Sequence, residues 1–589
     1  MTTHEYRQTD SASYDPTPEY EEIFKLSILA RELAGEVDLV PGDTKGGLAA
    51  EVRDQVHIAF RALITESSLF PETLSHRFVD LIFASLRLFN DLWHAVESTR
   101  NAELADEARK LWPHIVRWSA AVHPARSDAL TRYPHRDTTR QAGDIAQAYL
   151  TILISPVETI ESIKAFLYAH PDVITQAFEL WRYLPKIHAL HITPDPPAVV
   201  PEALYTPILL VHRIYEVLAL SAKGSRVADR ALLCAGIRRA MTTRAFYRNI
   251  APWTDSLRQL KLDVAFVPQI WKIHLTLLVG LTSFPELAPA SVPRDAFRSV
   301  ISVGTKCFEQ DRLMDECGFW VVRLVDSLCC ATRDNRPFVH AIGHGYLGLL
   351  KALEEATGTQ FDHADIVRRL SAVAVHARVV RVVRRAYPEL PPPGDIAARG
   401  VTWRKVAQTF SNYIDLYAVE HRARDWRRVL ECANAMGPHD QLVRFCPCGN
   451  EVYCSGSCQR MQWEHGHRAD CCADEGPWGL HGALSLNDIA FLIEIVRADI
   501  RLVKNKPAVR AAFEDFERER RAGGRRFRKQ VHVTADFSDV LAARYETRTR
   551  PVDSAADIHR VPVEVVLRLG WTTQRHFLPF TLALRHFLT

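Results

Sequence analysis

Residues 432–471 read Cys432-Ala-Asn-Ala-Met-Gly-Pro-His439-Asp-Gln-Leu-Val-Arg-Phe-Cys446-Pro-Cys448-Gly-Asn-Glu-Val-Tyr453-Cys454-Ser-Gly-Ser-Cys458-Gln459-Arg-Met-Gln-Trp463-Glu-His465-Gly-His467-Arg-Ala-Asp-Cys471. Seven of the twelve cysteines of the chain fall between Cys432 and Cys472, while Cys234, Cys307, Cys317, Cys329 and Cys330 are scattered among apolar residues. Short Cys-to-Cys loops bring two sulfurs within reach of one ion. A His-x-x-x-Cys spacing on a helix places an imidazole and a thiol on one face. Thiolate and imidazole are the donors a tetrahedral zinc ion takes. A segment this short cannot fold on a hydrophobic core of its own, so metal binding would supply its folding energy.

Three features are specific. Tyr453-Cys454-Ser-x-x-Cys458-Gln459 is followed by Trp463 and by His467-x-x-x-Cys471. This pattern resembles the second half of a MYND-type zinc finger, and the resemblance covers residues 432–471 of 589. It implies two zinc ions in interleaved sites. By resemblance, Cys446, Cys448, His467 and Cys471 hold one, and Cys432, Cys454 and Cys458 belong to the other. Two departures stand out. The family's second cysteine falls near Ala435, and Cys446 and Cys448 are separated by Pro447 alone. The second site therefore lacks a fourth ligand by pattern; His439 or Cys472 would complete it, giving two zinc ions, and otherwise the chain holds one. His467 is preferred to His465 on spacing. Gln459 and Trp463 match positions that in such fingers line a groove for proline-containing peptides; Trp463 as a packing residue is the alternative.

Outward from this segment, the pattern is helical. Leu74, Phe78, Leu81, Ser85, Leu88 and Leu92 follow a three-four spacing, with Pro71 and Glu72 suited to a first turn. Leu204, Ile208, Val211, Tyr215 and Leu218 repeat it, as do Ile366, Leu370, Val373, Ala377 and Val380. Breaks are expected at Thr193-Pro-Asp-Pro-Pro, Phe284-Pro285 and Pro391-Pro-Pro-Gly394. The reading is a mainly α chain: a disordered tail at 1–20, an α-helical scaffold at 21–430 (stacked armadillo- or HEAT-like pairs, or an irregular helical array), the finger at 432–471, and a mixed region at 480–589. Ser485 and Asp488 suit a helix start. Val531–Thr534 and Val563–Leu567 suit short strands.

Composition narrows the function. The chain is 47% hydrophobic and 24% charged, with a formal charge of only +3, so no global attraction to nucleic acid or an anionic membrane is expected. No apolar run reaches 18 residues, and Met1-Thr-Thr-His-Glu-Tyr lacks a secretory pattern. An intracellular location, cytoplasm or nucleus, follows as the expectation, with cysteines free or metal-bound. Of 73 basic residues only 14 are Lys. Arg378, Arg381, Arg384 and Arg385, and the denser Arg520, Arg521, Arg525, Arg526, Arg528 and Lys529, could form a nucleic-acid patch; Glu517 and Glu519 dilute the second, and a solvated helix face is the simpler reading. No phosphate loop, dinucleotide turn, His-Glu-x-x-His or nucleophile elbow occurs. Gly343-His-Gly-Tyr-Leu-Gly348 has no phosphate-binding logic, and His340 with His344 is taken as structural. A SET-type methyltransferase motif is absent too.

The expectation is a non-enzymatic zinc-binding adaptor whose finger docks a protein or a proline-containing peptide. The second is a nucleic-acid-associated regulator, and the third an enzyme within the helical region.

Overall fold

The computed structural model describes residues 18–35, 45–66, 74, 76–126, 138–190, 201–220, 226–259, 267–310, 315–357, 364–388, 390, 401–423, 430–434, 436–437, 439, 442–503, 507–524, 527–538, 544–552 and 558–583. The chain is mainly α and divides into two compact units, Met1–Leu277 and Leu278–Thr589. None of its described helices is long and apolar enough to cross a membrane.

The first unit is helical throughout its described residues. Its first helix, Pro18–Ala34, takes in the last three residues of the expected tail; residues 1–17 lie outside the described set. The stripe Leu81, Ser85, Leu88 and Leu92 is buried on the helix His76–Thr99. That helix starts at His76, and Pro71 and Glu72 are outside the described residues. Ile208, Val211, Tyr215 and Leu218 are likewise buried, but the helix Pro201–Tyr215 gives way to a wider π turn at Glu216–Leu220. Short polar side chains start helices as capping requires: Asn101 Oδ1 accepts from the Leu104 N–H (3.1 Å) and Thr159 Oγ1 from that of Ser162 (3.1 Å). Aromatic pairs fill the core. Phe60 stacks on Trp118, and Trp181 on Trp253 at 3.8 Å, with Trp253 Nε1 donating to the Trp181 carbonyl. Helix lengths run from nine residues at Ala102–Lys110 to 24 at His76–Thr99. They share no fixed length of the kind a regular solenoid repeats.

The second unit begins with helices too. Phe284-Pro285 makes the expected break, as a 3-10 turn at Pro285–Leu287. The Ile366-to-Val380 stripe is split into the helices Ala364–Val373 and Ala377–Ala386. The split falls at His376, whose backbone is extended and whose buried ring meets Asn335 Nδ2 at 2.8 Å. A stripe shared by two helices looks continuous in sequence. The breaks expected at 193–197 and 391–394 lie outside the described residues.

Ser485 and Asp488 cap the helix Leu486–Val503 reciprocally: Asp488 N–H donates to Ser485 Oγ (3.2 Å) and Ser485 N–H to Asp488 Oδ2 (2.8 Å). The charged stretch after Pro507 is a helix, Pro507–Gly523. Six strands are present among the described residues. β1 (Arg444–Phe445) and β2 (Val452–Tyr453) pair antiparallel within the cysteine segment. β3 (Lys529–Asp536), β4 (Arg544–Pro551), β5 (Arg560–Leu569) and β6 (Thr572–Ala583) form a sheet of order β4-β3-β5-β6, with β3 and β5 parallel. Val561, Val563, Val565, Leu567 and Leu569 of β5 point into the core. β4 has an exposed, charged face at the sheet edge, Arg544, Glu546, Arg548 and Arg550, which suits an edge strand.

Residues 430–432, where the sequence suggests a boundary, lie within the second unit. Cys446, Cys448, Cys454 and Cys458 lie in the same hydrophobic core as Val375, Val380, Ile489, Phe491, Val531 and Val565. The cysteine segment therefore shares its core with helices and sheet, which an isolated small module would not.

Candidate metal centres

β1 and β2 bracket a tight turn. Cys446 N–H donates to the Glu451 carbonyl (2.8 Å), and Gly449 N–H to that of Cys446 (2.9 Å). Gly449 has φ +77°, a conformation a side chain disfavours, and a Cβ there would meet Ile489 Cδ1 at 2.6 Å. This turn sets Cys446 and Cys448 on either side of Pro447. After β2, Ser455 caps the helix Gly456–Gln462 by accepting from the Cys458 N–H (3.2 Å). A wide turn at Trp463–His467, relaxed by Gly466 at φ 139°, then carries His467 inward.

Two groups of four ligand atoms result. Cys446, Cys448, His467 and Cys471 form one, and Cys432, His439, Cys454 and Cys458 the other; within each, the ligand atoms lie within 4.8 Å of one another. A tetrahedron with bonds of about 2.3 Å to sulfur and about 2.0 Å to nitrogen has edges of about 3.5–3.8 Å. In the first group His467 Nε2 is 3.3 Å from Cys446 Sγ and 3.6 Å from Cys448 Sγ, and Cys446 Sγ is 3.8 Å from Cys471 Sγ. In the second, Cys454 Sγ is 3.5 Å from Cys458 Sγ and 3.8 Å from His439 Nδ1. Both sets fit a tetrahedral ion, and none of these cysteines is in a disulfide. In chain order the ligands alternate in pairs between the groups, so each brackets the other.

The donor atoms are supported from outside. Asn450 N–H points at Cys448 Sγ (3.4 Å), and Gln459 Nε2 lies 4.0 Å from Cys446 Sγ. Asn434 holds the loop that carries His439, donating to the Gly437 carbonyl (3.2 Å) and accepting from the Met436 N–H (3.2 Å). Burial pushes the Cys432, Cys446 and Cys448 thiols up, while the Ser455 hydroxyl holds Cys458 down. Burial also holds His467 below the ordinary imidazole value, leaving the neutral ring that ligates metal.

Cys432, Cys446, Cys448, Cys454, Cys458, His467 and Cys471 each fall in one of the two groups, and His439 lies beside Cys432, Cys454 and Cys458. Cys472 is in neither: its Sγ faces the carbonyls of Cys448 (3.9 Å) and Gly476 (3.8 Å). His465 is exposed and turned back to the Met461 carbonyl. Ala435 lies outside the described residues. Trp463 is 38% exposed and packs T-shaped against His467, with ring centroids 6.0 Å apart. Asn434 and Asn450 have roles the spacing of cysteines does not announce; Ser455, three residues before Cys458, carries a readable capping signal.

The arginine clusters are largely committed to carboxylates and local partners. Arg520 and Arg521 pair with Glu517, and Lys529 with Glu519. Arg378 pairs with Asp488, and Arg381 Nε donates to Tyr417 Oη. Arg525 and Arg526 lie outside the described residues. His340 and His344 join no candidate metal group among the described residues.

No family model, no curated protein and no solved structure matches this chain.

Proposed function

We propose that residues 432–471 form a MYND-type finger holding two zinc ions, and that the protein is a non-enzymatic adaptor whose finger docks a peptide. The observation that carries this reading is the pair of alternating Cys3His groups with near-tetrahedral spacing. Six thiols and two imidazoles are a donor set that suits zinc rather than magnesium or calcium. With four protein ligands apiece the sites leave no open position for water, so the metal is structural. A structural zinc ion contributes apparent binding energy of about 10–16 kcal/mol, enough to hold loops this short.

Peptide docking is supported by exposed apolar side chains on the finger. Met436 is 85% exposed, Leu442 52% and Trp463 38%. Gln459 and Trp463 both adjoin the first metal group, so a peptide there would be read by side chains the metal holds still. Selection from a displayed peptide library against full-length protein tests this. Proline-containing peptides should be enriched, and Trp463→Ala should weaken them tenfold or more while metal content is kept. An empty selection, or one indifferent to Trp463, contradicts the docking role.

A further inference from the structure

We propose that the first metal centre clamps the C-terminal sheet through Trp478, so that filling the site fixes β6 and emptying it releases the strand. The inference rests on the metal reading above and adds a consequence for the fold.

Trp478 takes two successive carbonyls of the cysteine turn. Its backbone N–H donates to the Cys448 carbonyl at 2.6 Å, and its indole Nε1 to the Gly449 carbonyl at 3.2 Å. The other side of the contact is the sheet. The indole stacks on His576 of β6 with ring centroids 4.6 Å apart and an 11° tilt. His576 sits opposite Val565 in the β5–β6 ladder. One residue therefore joins a metal-ligand turn to the outer strand of the sheet.

Two further ties converge there. Cys472 follows the ligand Cys471 directly and faces the carbonyls of Cys448 and Gly476, linking the second arm of the site to the Trp478 loop. The absence of a side chain at Gly449 lets the turn close on Ile489 and Pro477. Trp478 itself is held at φ 57°, a left-handed conformation that a bulky residue keeps only where its surroundings over-determine it. Those surroundings are the cysteine turn and the ring on β6.

The two arms of the first site, 446–448 and 467–471, are tied at their ligand atoms. An ion fixes their geometry; without it the Cys448 and Gly449 carbonyls lose a fixed position, and the strained Trp478 loop can relax and carry its ring off His576. Local opening of this kind leaves distant helices untouched.

Hydrogen exchange on the full-length protein tests the clamp, with zinc withdrawn stepwise by a chelator and metal content measured in the same samples. Exchange across Thr572–Ala583 should rise tenfold or more as the first-site ion leaves, while the His76–Thr99 helix stays protected. Trp478→Leu should raise β6 exchange with both ions still bound, and Cys471→Ser should raise it with that site emptied. Metal loss with β6 protection unchanged overturns the clamp and leaves the metal reading intact, as does a metal-loaded Trp478→Leu protein with wild-type exchange. Protein that carries no metal and takes up none overturns the metal reading and the clamp with it.

Discussion

Arg378 grips Asp488 across 110 positions of chain: Nη2 lies 2.7 Å and Nε 2.9 Å from Oδ2, and the Arg378 backbone N–H is 3.2 Å from Oδ1. The carboxylate is fully buried and also caps the helix Leu486–Val503. Burial pushes the Asp488 carboxyl up, but His376, Arg378 and the Ser485 hydrogen bonds outweigh it and leave it below its ordinary value. Arg378 therefore ties the Ala377–Ala386 helix to the one that follows the cysteine segment.

Removing one partner of such a pair leaves an uncompensated buried charge, at a cost of about 3–5 kcal/mol. Arg378→Met should cost that much in denaturant unfolding of the second unit. The double variant Arg378→Met with Asp488→Asn should recover part of it, because no bare charge remains. A single-variant loss below about 1 kcal/mol would show that the pair does not hold this junction.

Gly570 makes the two-residue turn between β5 and β6. It stands at φ +58°, its N–H donates to Asn335 Oδ1 (2.8 Å), and a Cβ there would fall 1.8 Å from the Thr332 carbonyl oxygen. Backbone atoms cannot swing away as a side-chain tip can. Gly570→Ala should destabilise the second unit by more than the roughly 1 kcal/mol of an ordinary glycine replacement at positive φ. Thermal unfolding monitored on the sheet checks this, and an unchanged midpoint would contradict the close approach.

His123 couples the first unit to pH. Its ring is fully buried, Nε2 is 3.0 Å from the Gln176 carbonyl, and Nδ1 accepts from the Ala125 N–H (3.1 Å). Both nitrogens are thus used by a neutral ring with its proton on Nε2. Burial lowers its pKa to about 4. The unfolded chain takes up a proton near the ordinary value of about 6.5 and the folded chain does not, so stability is kept above that value and lost as pH falls toward 4. The full loss is roughly 3 kcal/mol. Urea midpoints at pH 7 and pH 5 should differ, and His123→Gln should narrow the gap. An undiminished gap in that variant would assign the pH dependence to other groups.

Much of this architecture is legible in the residues. Three-four stripes such as Leu81-Ser85-Leu88-Leu92 mark helices because one face must be buried, and Ser485 with Asp488 announces a start by pairing donors with acceptors. The candidate metal groups are legible because ligand chemistry permits few residue types. What spacing conceals is tertiary. β4 carries arginines and threonines whose strand state depends on pairing with β3. The break at His376 depends on a contact with Asn335. The cysteine segment shares its core with the sheet, and Trp478 stacks on His576, a contact its neighbours in sequence do not hint at.

Two zinc ions per chain are what the two proposed Cys3His sites call for. Elemental analysis of purified full-length protein, never exposed to chelator or oxidant, tests it directly. Close to two zinc ions per chain are expected, falling toward one in His439→Ala and unchanged in His465→Ala. A value near one in the unaltered protein would rule out an occupied His439 site, and the absence of bound zinc would rule out the finger.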